Sequence, residues 1–209
     1  TTEIYTLSLH DALPICLIYQ SDIAYDAHNR QLWFFSGFDL YTLDPVKRTF
    51  ADWSKSAPKV NSVRNCLYPD GKGLLWIGTE HGLVRFDYEK KTSKTYTQQD
   101  GLPSEVIVGL LPEGDSCLWI STFNGLSRLS IASGRFLNFF KEDGLADNEF
   151  NRVSFFKASD GRMFFGGVKG VTAFYPQEVM AKFAQQNPHA SLALRSVSMT
   201  EDGTDSLLT

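Results

Sequence analysis

One short segment recurs four times in this chain, and its spacing limits the fold more than any other feature. The clearest copy is Leu74–Asp87, in which two apolar runs flank a short polar stretch that ends in Gly82. Apolar runs separated by three or four residues with a late glycine predict a tight β-hairpin. Aligned on the first aromatic residue, the copies follow at steps of 43, 43 and 45 residues and carry Trp33, Trp76, Trp119 and Phe164.

The residues between the hairpins predict two further strands for each full repeat. In the second repeat, Val63–Tyr68 reads as a strand before the hairpin and Thr95–Thr97 as a polar outer strand after it. Pro69–Gly71 and, in the third repeat, Pro112–Gly114 are predicted turns. Four strands in about 43 residues match the blade of a β-propeller, which typically has 40–45 residues.

The predicted fold class is all-β: an incomplete, open-arc β-propeller of about four four-stranded blades, followed by the start of a β-sandwich domain. The fourth repeat reaches Phe174 without an outer strand of its own, which favours an open arc over a small four-bladed ring. Residues 17–178 are assigned to the propeller, with blades at 17–61, 62–105, 106–150 and 151–178. Residues 179–190 form a linker with some helical character, and residues 191–209 are the first strand of a truncated second domain.

Seven residues are predicted to have structural roles that recur from blade to blade. The large aromatic residues Trp33, Trp76, Trp119 and Phe164 are interpreted as wedges between neighbouring blades. The glycines at the hairpin tips require a positive φ and are Gly82, Gly125 and Gly170. In the first repeat Asp39 takes the glycine's position, and aspartate enters that backbone region more easily than most residues.

The first residues of the chain are predicted not to belong to the fold. Glu3–Ile15 resembles the translation of a common sequencing adapter, so residues 1–16 are interpreted as an artefactual leader. A damaged signal peptide is the alternative, although the segment lacks a basic start and contains His10 and Asp11. The natural N-terminus is therefore unknown.

Composition and motifs exclude several classes of function. A net charge of −4 gives no electrostatic footprint for nucleic acid, and no apolar run is long enough to span a membrane. The histidines and cysteines do not have metal-site spacing, and no phosphate-binding, dinucleotide-binding or nucleophile-elbow motif is present. We therefore predict no catalytic residue, no metal and no cofactor, and interpret Cys66 and Cys117 as buried free thiols rather than a disulfide.

A ligand site is expected on the face that carries the hairpin tips and the connections between blades, because loops on a rigid scaffold commonly carry recognition. Aromatic and amide side chains there would suit a sugar, but for any single one of them an ordinary solvent-exposed loop residue is the favoured interpretation. The candidate ligand-binding residues are His81, Phe123, Asn124, Asn148 and Lys169.

With these repeats in place, the chain resembles a known family. The units LWIGTEHGLVRFD and LWISTFNGLSRLS resemble the two-component regulator propeller repeat, over roughly Ile23–Met199. The passage Asp143–Pro176 is similar to the last blade of such arrays, which a small immunoglobulin-like, tyrosine-rich domain follows. Phe35 and Ser121 depart from the repeat, which prefers the glycine present at Gly78.

This resemblance implies a fragment of the extracytoplasmic, periplasmic sensor domain of a hybrid two-component histidine kinase anchored in the inner membrane. The implied ligand is a carbohydrate, and the implied partners are the remaining blades and the immunoglobulin-like domain of a dimeric parent chain. Kinase activity would belong to the parent, whose output domain stays open because the family also occurs on cyclic-nucleotide synthases. A propeller-based lyase or other enzyme and a non-catalytic interaction scaffold are the alternatives.

Overall fold

The structure is a computed structural model, and it describes residues 23–36, 39–58 and 64–186. The artefactual leader predicted at residues 1–16 and the sandwich strand predicted at 191–209 lie outside the described residues. The chain divides into two units, residues 1–173 and 174–209. In the second unit, Pro176–Gln186 forms a helix, α1, which overlaps the segment assigned to the linker.

Fifteen strands are described, and they form four antiparallel sheets. The first blade contains β1 Ile23–Asp26, β2 Gln31–Ser36, β3 Asp39–Asp44 and β4 Thr49–Asp52. The second contains β5 Arg64–Pro69, β6 Leu74–Thr79, β7 Gly82–Asp87 and β8 Thr92–Tyr96. The third contains β9 Ile107–Glu113, β10 Cys117–Thr122, β11 Gly125–Ser130 and β12 Arg135–Phe139, and the fourth contains β13 Phe150–Lys157, β14 Met163–Gly167 and β15 Gly170–Phe174.

Strands in each blade follow one another in chain order, so every sheet is a simple meander. Across the boundaries between blades, the first strands of successive blades contact one another. The first strand is therefore the innermost, and the fourth strand lies at the outer edge. An all-β fold of incomplete propeller blades is confirmed, and within the residues that the structure describes the fourth blade has three strands.

The pairing register shows that the sequence repeat is also a structural repeat. Gly82 and Gly125 each pair with the last residue of the preceding strand, Thr79 and Thr122. Asp39 holds the same position in the first blade, where it pairs with Ser36. The hairpin glycines have φ values of 116° for Gly82, 106° for Gly125 and 126° for Gly170, in the region that glycine enters at low cost.

Apolar side chains fill the spaces between blades. One cluster joins the first and second blades and includes the fully buried Trp33. A second cluster joins the second and third blades and includes the fully buried Trp76 together with Ile107. Trp119 is equally buried, whereas Phe164 in the fourth blade is only partly buried.

The departure of Ser121 from the repeat glycine has a structural explanation. In the second blade Gly78 pairs with Cys66, whereas in the third blade Ser121 pairs with Gly109. The larger side chain and the glycine have exchanged strands, so each pair still presents one side chain to the narrow space between blades. A methyl group built on Gly78 would overlap the Cys66 sulfur and lie 2.8 Å from Cγ2 of Ile107.

Three details of the predicted strands were wrong. Pro69, predicted to begin a turn, is the last residue of β5 and pairs with Leu75. Pro112 and Glu113 belong to β9, and the turn follows them, because Glu113 pairs with Cys117 across the hairpin. The outer strand of the second blade is Thr92–Tyr96 rather than Thr95–Thr97, and Tyr96 is buried at its end. Cys66 and Cys117 are both buried, at 1% and 6% exposure.

Candidate functional site

The hairpin tips lie at the same end of each sheet as the beginning of the innermost strand. Arg64, at the start of β5, pairs with Thr79 beside the tip of the second blade. Ile107, at the start of β9, pairs in the same way with Thr122. We call this end the tip face, since each tip and each inner strand of these blades contribute residues to it.

Buried threonines hold the tips in shape. The Thr79 hydroxyl donates to the carbonyl of Gly82 at 2.8 Å and accepts from the amide of His81 at 3.0 Å. In the next blade, the Thr122 hydroxyl makes the same two contacts with Gly125 and Asn124. These hydrogen bonds use the threonine hydroxyl and backbone groups. They do not involve the side chains of the two tip residues, which are Glu80 and His81 in the second blade and Phe123 and Asn124 in the third.

The connections between blades are attached to the same tips. The Gly82 amide donates to the carbonyl of Glu105 at 2.8 Å, and the Gly125 amide donates to the carbonyl of Asn148 at 2.7 Å. Each tip therefore supports the chain that enters the next blade.

Arg152, from the innermost strand of the fourth blade, gathers side chains from two other blades on the tip face. Its Nε donates to Oδ1 of Asn65 at 3.1 Å, and its Nη2 donates to Oε1 of Glu80 at 2.7 Å. Its guanidinium carbon lies 5.3 Å from the ring centre of Phe123, within the range of a cation–π contact. These four residues are called the Arg152 cluster.

The Arg152 cluster is held in place by a buried residue on one side and is exposed to solvent on the other. Asn65 is buried, and its Nδ2 donates to the carbonyl of Ile107 at 2.8 Å, which orients its oxygen towards Arg152. The side chains of Arg152 and Glu80 are about one-third exposed, at 36% and 32%. The Phe123 ring is 37% exposed. A guanidinium, a carboxylate and an aromatic ring are thus presented together to solvent.

An irregularity in strand β13 directs the Arg152 side chain towards Asn65 and Glu80. Phe150 and Phe155 are five positions apart, while their partners Gly167 and Phe165 are only two positions apart. The extra residues form a wide bulge in which Val153 has a φ of 58°. A β-branched residue in this region is strained by about 1–3 kcal/mol, and such strain persists only where surrounding contacts impose it.

Of the five candidate ligand residues, only Phe123 lies in the Arg152 cluster. His81 and Asn124 are exposed tip residues. Lys169 forms an ion pair with Asp147 at 3.1 Å, and Asn148 accepts from the amide of Lys141 at 2.7 Å. The last two residues therefore contribute to the geometry of the fourth tip and its connection.

Sequence reasoning missed the role of Arg152, although a signal was present. Arg152 precedes the repeat aromatic Phe164 by twelve residues, as Arg64 precedes Trp76. Each of these two arginines lies near the start of the innermost strand of its blade. Arg64 lies over the ring of Phe35 at 4.6 Å, and burial lowers its pKa, partly opposed by the charge of Asp39.

The opposite end of the blades carries a shallow groove. It encloses about 440 Å³ between the turns of the first and second blades and is lined by residues that include Tyr25, His28 and Lys72. The Asp26 carboxylate in this groove accepts hydrogen bonds from the amides of His28 and Asn29 and so stabilises the turn. Within the described ranges, no group of three or more histidine, cysteine, aspartate or glutamate residues could hold a metal ion.

Fold and register together define part of a β-propeller whose tip face carries solvent-exposed side chains. Residues 58–81 match the family model described as two component regulator propeller, so the resemblance seen in the repeat is confirmed. No curated protein matches the chain by sequence. None of the helices in the described parts of the chain has the length and apolarity needed to cross a bilayer.

Solved structures share the same architecture. The extracellular domain of a putative hybrid two component system from B. thetaiotaomicron is 22% identical, with a TM-score of 0.58 over 76% of this chain and 23% of its own. The extracellular domain of a putative one component system from the same organism is 19% identical, with a TM-score of 0.62 over 75% and 23%. YCF48 from Cyanidioschyzon merolae is 14% identical, with a TM-score of 0.54 over 75% and 50%. This chain thus spans about a quarter of the length of the first two structures.

Proposed function

We propose that this chain is part of the periplasmic sensor region of a two-component system, in a parent protein whose histidine kinase core lies across the membrane. The regulator propeller match at residues 58–81 and the fold shared with extracellular domains of such systems support this role. In this proposal the blades themselves perform no catalysis. They bind a ligand and change the relative positions of their neighbours.

The observation that carries the proposal is the Arg152 cluster. It joins side chains from three successive blades, with Asn65 and Glu80 in the second, Phe123 in the third and Arg152 in the fourth. A ligand bound there would contact all three blades at once. Binding energy that differs between two arrangements of the blades is the physical requirement for a ligand to shift a conformational equilibrium.

Carbohydrate is the ligand class that we propose for this cluster. The Arg152–Glu80 pair offers adjacent donors and acceptors at low net charge, which suits vicinal hydroxyl groups. The exposed part of the Phe123 ring offers an apolar surface for the C–H face of a sugar ring. An arrangement of a few polar groups around an aromatic surface is typical of small-molecule sites.

The proposal is tested by calorimetric titration of the 209-residue chain with a panel of neutral and acidic oligosaccharides. Phe123→Ala and Arg152→Ala are each expected to weaken the binding of an active oligosaccharide by at least about tenfold, equivalent to 1.4 kcal/mol. Lys72→Ala is the matched control, because Lys72 is an exposed cation at the opposite end of the second blade. Thermal unfolding of each variant shows whether it has kept its fold.

Signalling is tested in the parent protein with its kinase. The active oligosaccharide is expected to change autophosphorylation in the wild type and to lose this effect in Arg152→Ala. Binding that is unaffected by both cluster substitutions would contradict the site. An unchanged phosphorylation level with bound ligand would contradict the sensor role.

A further inference from the structure

Arg64 is a half-buried cation on the tip face, and its hydrogen bonding is incomplete. Its Nε and Nη1 atoms are buried and have no hydrogen-bond partner among the described residues. The ring centre of Phe35 lies 4.6 Å from the guanidinium carbon and attracts its charge, but a ring does not replace in-plane acceptors. Buried polar groups in native proteins are nearly always hydrogen-bonded, so two unsatisfied nitrogens on one charged group indicate a missing acceptor.

Arg152 shows what completes an arginine on this face. Both arginines lie twelve residues before the repeat aromatic of their blade, and both contact a phenylalanine ring. Side-chain oxygens of Asn65 and Glu80 accept from Nε and Nη2 of Arg152. At Arg64 the ring is present, but no oxygen of the described ranges accepts from Nε or Nη1. Arg64 therefore lacks the kind of acceptor that Glu80 supplies to Arg152.

Arg64 lies directly beside the Arg152 cluster. It is the first residue of β5 and precedes Asn65, a member of that cluster. The Arg64 side chain contacts Phe35 of the first blade, whereas the Asn65 side chain contacts the third and fourth blades. Since consecutive Cα atoms are only about 3.8 Å apart, a ligand of two or three sugar units can contact both side chains across the start of one inner strand.

The chemistry around Arg64 favours a carboxylate as the missing acceptor. A carboxylate matches either bidentate edge of a guanidinium, and each edge includes one of the two unsatisfied nitrogens. Burial lowers the pKa of Arg64, and the nearby negative charge of Asp39 partly opposes this effect. Asp39 nevertheless accepts no hydrogen bond from Nε or Nη1. With one cation and one carboxylate already in place, a further group of single negative charge is repelled less than a dianion such as phosphate.

We propose that Arg64 is a second subsite, which binds the carboxylate of a sugar acid while the hydroxyl groups of the same saccharide contact the Arg152 cluster. The inference rests on the carbohydrate ligand proposed above and narrows it to saccharides that carry a uronate. In this arrangement Arg64 selects acidic over neutral saccharides, because a neutral sugar leaves its buried nitrogens unpaired.

Nuclear magnetic resonance of the wild-type 209-residue chain tests the subsite with two matched pairs of probes. Glucuronate differs from glucose only in the group at C6, and galacturonate differs from galactose in the same way. At least one uronate is expected to shift the Nε–H resonance of Arg64 and to saturate, and its neutral partner is expected to bind at least about tenfold more weakly. Equal effects of acid and neutral sugar, no shift with any probe, or inorganic phosphate as effective as the uronate would overturn the inference.

Variants of Arg64 test the same subsite by thermal unfolding. The active uronate is expected to raise the unfolding temperature of the wild type but not of Arg64→Gln, and to raise that of Arg64→Lys less, since lysine lacks the bidentate edge. Arg135→Gln is the matched control, because Arg135 is an exposed arginine that pairs with Ser130 at the end of the third blade away from its tip. An equal rise in Arg64→Gln and in the control would overturn the subsite. The wild-type resonance measurement decides the case in which Arg64→Gln does not fold.

Two results separate this inference from the proposed function. Neutral oligosaccharides that require Phe123 and Arg152, with no effect of either uronate on Arg64, would overturn the carboxylate subsite and leave the proposed sensor site standing. A uronate effect on Arg64 that persists in Arg152→Ala, with no saccharide that requires Arg152, would support the carboxylate subsite and contradict the Arg152 cluster.

Discussion

The exchanged pair Cys66–Gly78 provides a sharp test of how the blades pack. Gly78→Ala is expected to destabilise the chain, because its methyl group would overlap the Cys66 sulfur and approach Cγ2 of Ile107 at 2.8 Å. Overpacking of this kind typically costs about 1–3 kcal/mol. The lower backbone entropy of alanine in the unfolded chain returns about 0.5–1 kcal/mol, which leaves a net loss of about 0–2.5 kcal/mol. Because the methyl group would meet two buried side chains at less than van der Waals distance, we expect the upper part of that range, about 1–2.5 kcal/mol.

The second substitution of the cycle is Cys66→Gly, which copies the arrangement of Gly109 and Ser121 in the third blade. Made alone, Cys66→Gly is expected to destabilise the chain, since removal of the sulfur leaves a buried cavity. In the double variant it also makes room for the new methyl group. The two single variants together are therefore expected to lose about 1–2 kcal/mol more unfolding free energy than the double variant loses.

Urea unfolding, followed by tryptophan fluorescence and circular dichroism, measures the four free energies of this cycle. Equal m-values across the variants would show that the unfolded ensembles are comparable. Losses that add within about 0.5 kcal/mol would refute the reasoning, because independent sites add and contacting residues do not.

Three further predictions concern single residues. Trp76→Ala is expected to cost about 3–5 kcal/mol and Phe164→Ala only about 1–2 kcal/mol in urea unfolding, because only the tryptophan is fully buried; equal losses would contradict this. The pKa of Glu113 is lowered below 4.5, since hydrogen bonds from Arg128 and Trp119 outweigh burial. The loss of unfolding free energy caused by Glu113→Gln should therefore be largest at neutral pH and should shrink as pH falls below about 4.5. A loss that does not change with pH would contradict this prediction. Burial and the charge of Asp26 raise the pKa of Tyr88 to about 12, so stability should fall between pH 10 and 12 in the wild type and less so in Tyr88→Phe; parallel curves would contradict it.

The sequence was sufficient to predict the repeating sheet. The step of 43 residues, the tip glycines and the apolar second strand each report on local pairing, and local pairing is what a meander of antiparallel strands requires. The equivalent registers of Gly82 and Gly125 agree with the alignment that the sequence suggested.

Long-range contacts could not be read from the same pattern. The exchange of glycine between Gly78 and Gly109 becomes visible only when the paired strand is known. The bulge that aims Arg152 at Asn65 and Glu80 depends on three additional residues in one inner strand, which the hairpin alignment does not register. Because contacts between blades cannot be read from the repeat, the sequence predicts ligand residues by their position on a tip rather than by their contact with another blade.

Residue-resolved hydrogen exchange of the 209-residue chain is the most direct test of the repeating blade. Inner strands β5 and β9 contact neighbouring blades, whereas outer strands β8 and β12 are short and less buried than the inner strands. The blade architecture predicts slow exchange in β5 and β9, fast exchange in β8 and β12, and recurrence of this pattern at a step of 43 residues. Protection without that period, or outer strands as protected as inner ones, would contradict it.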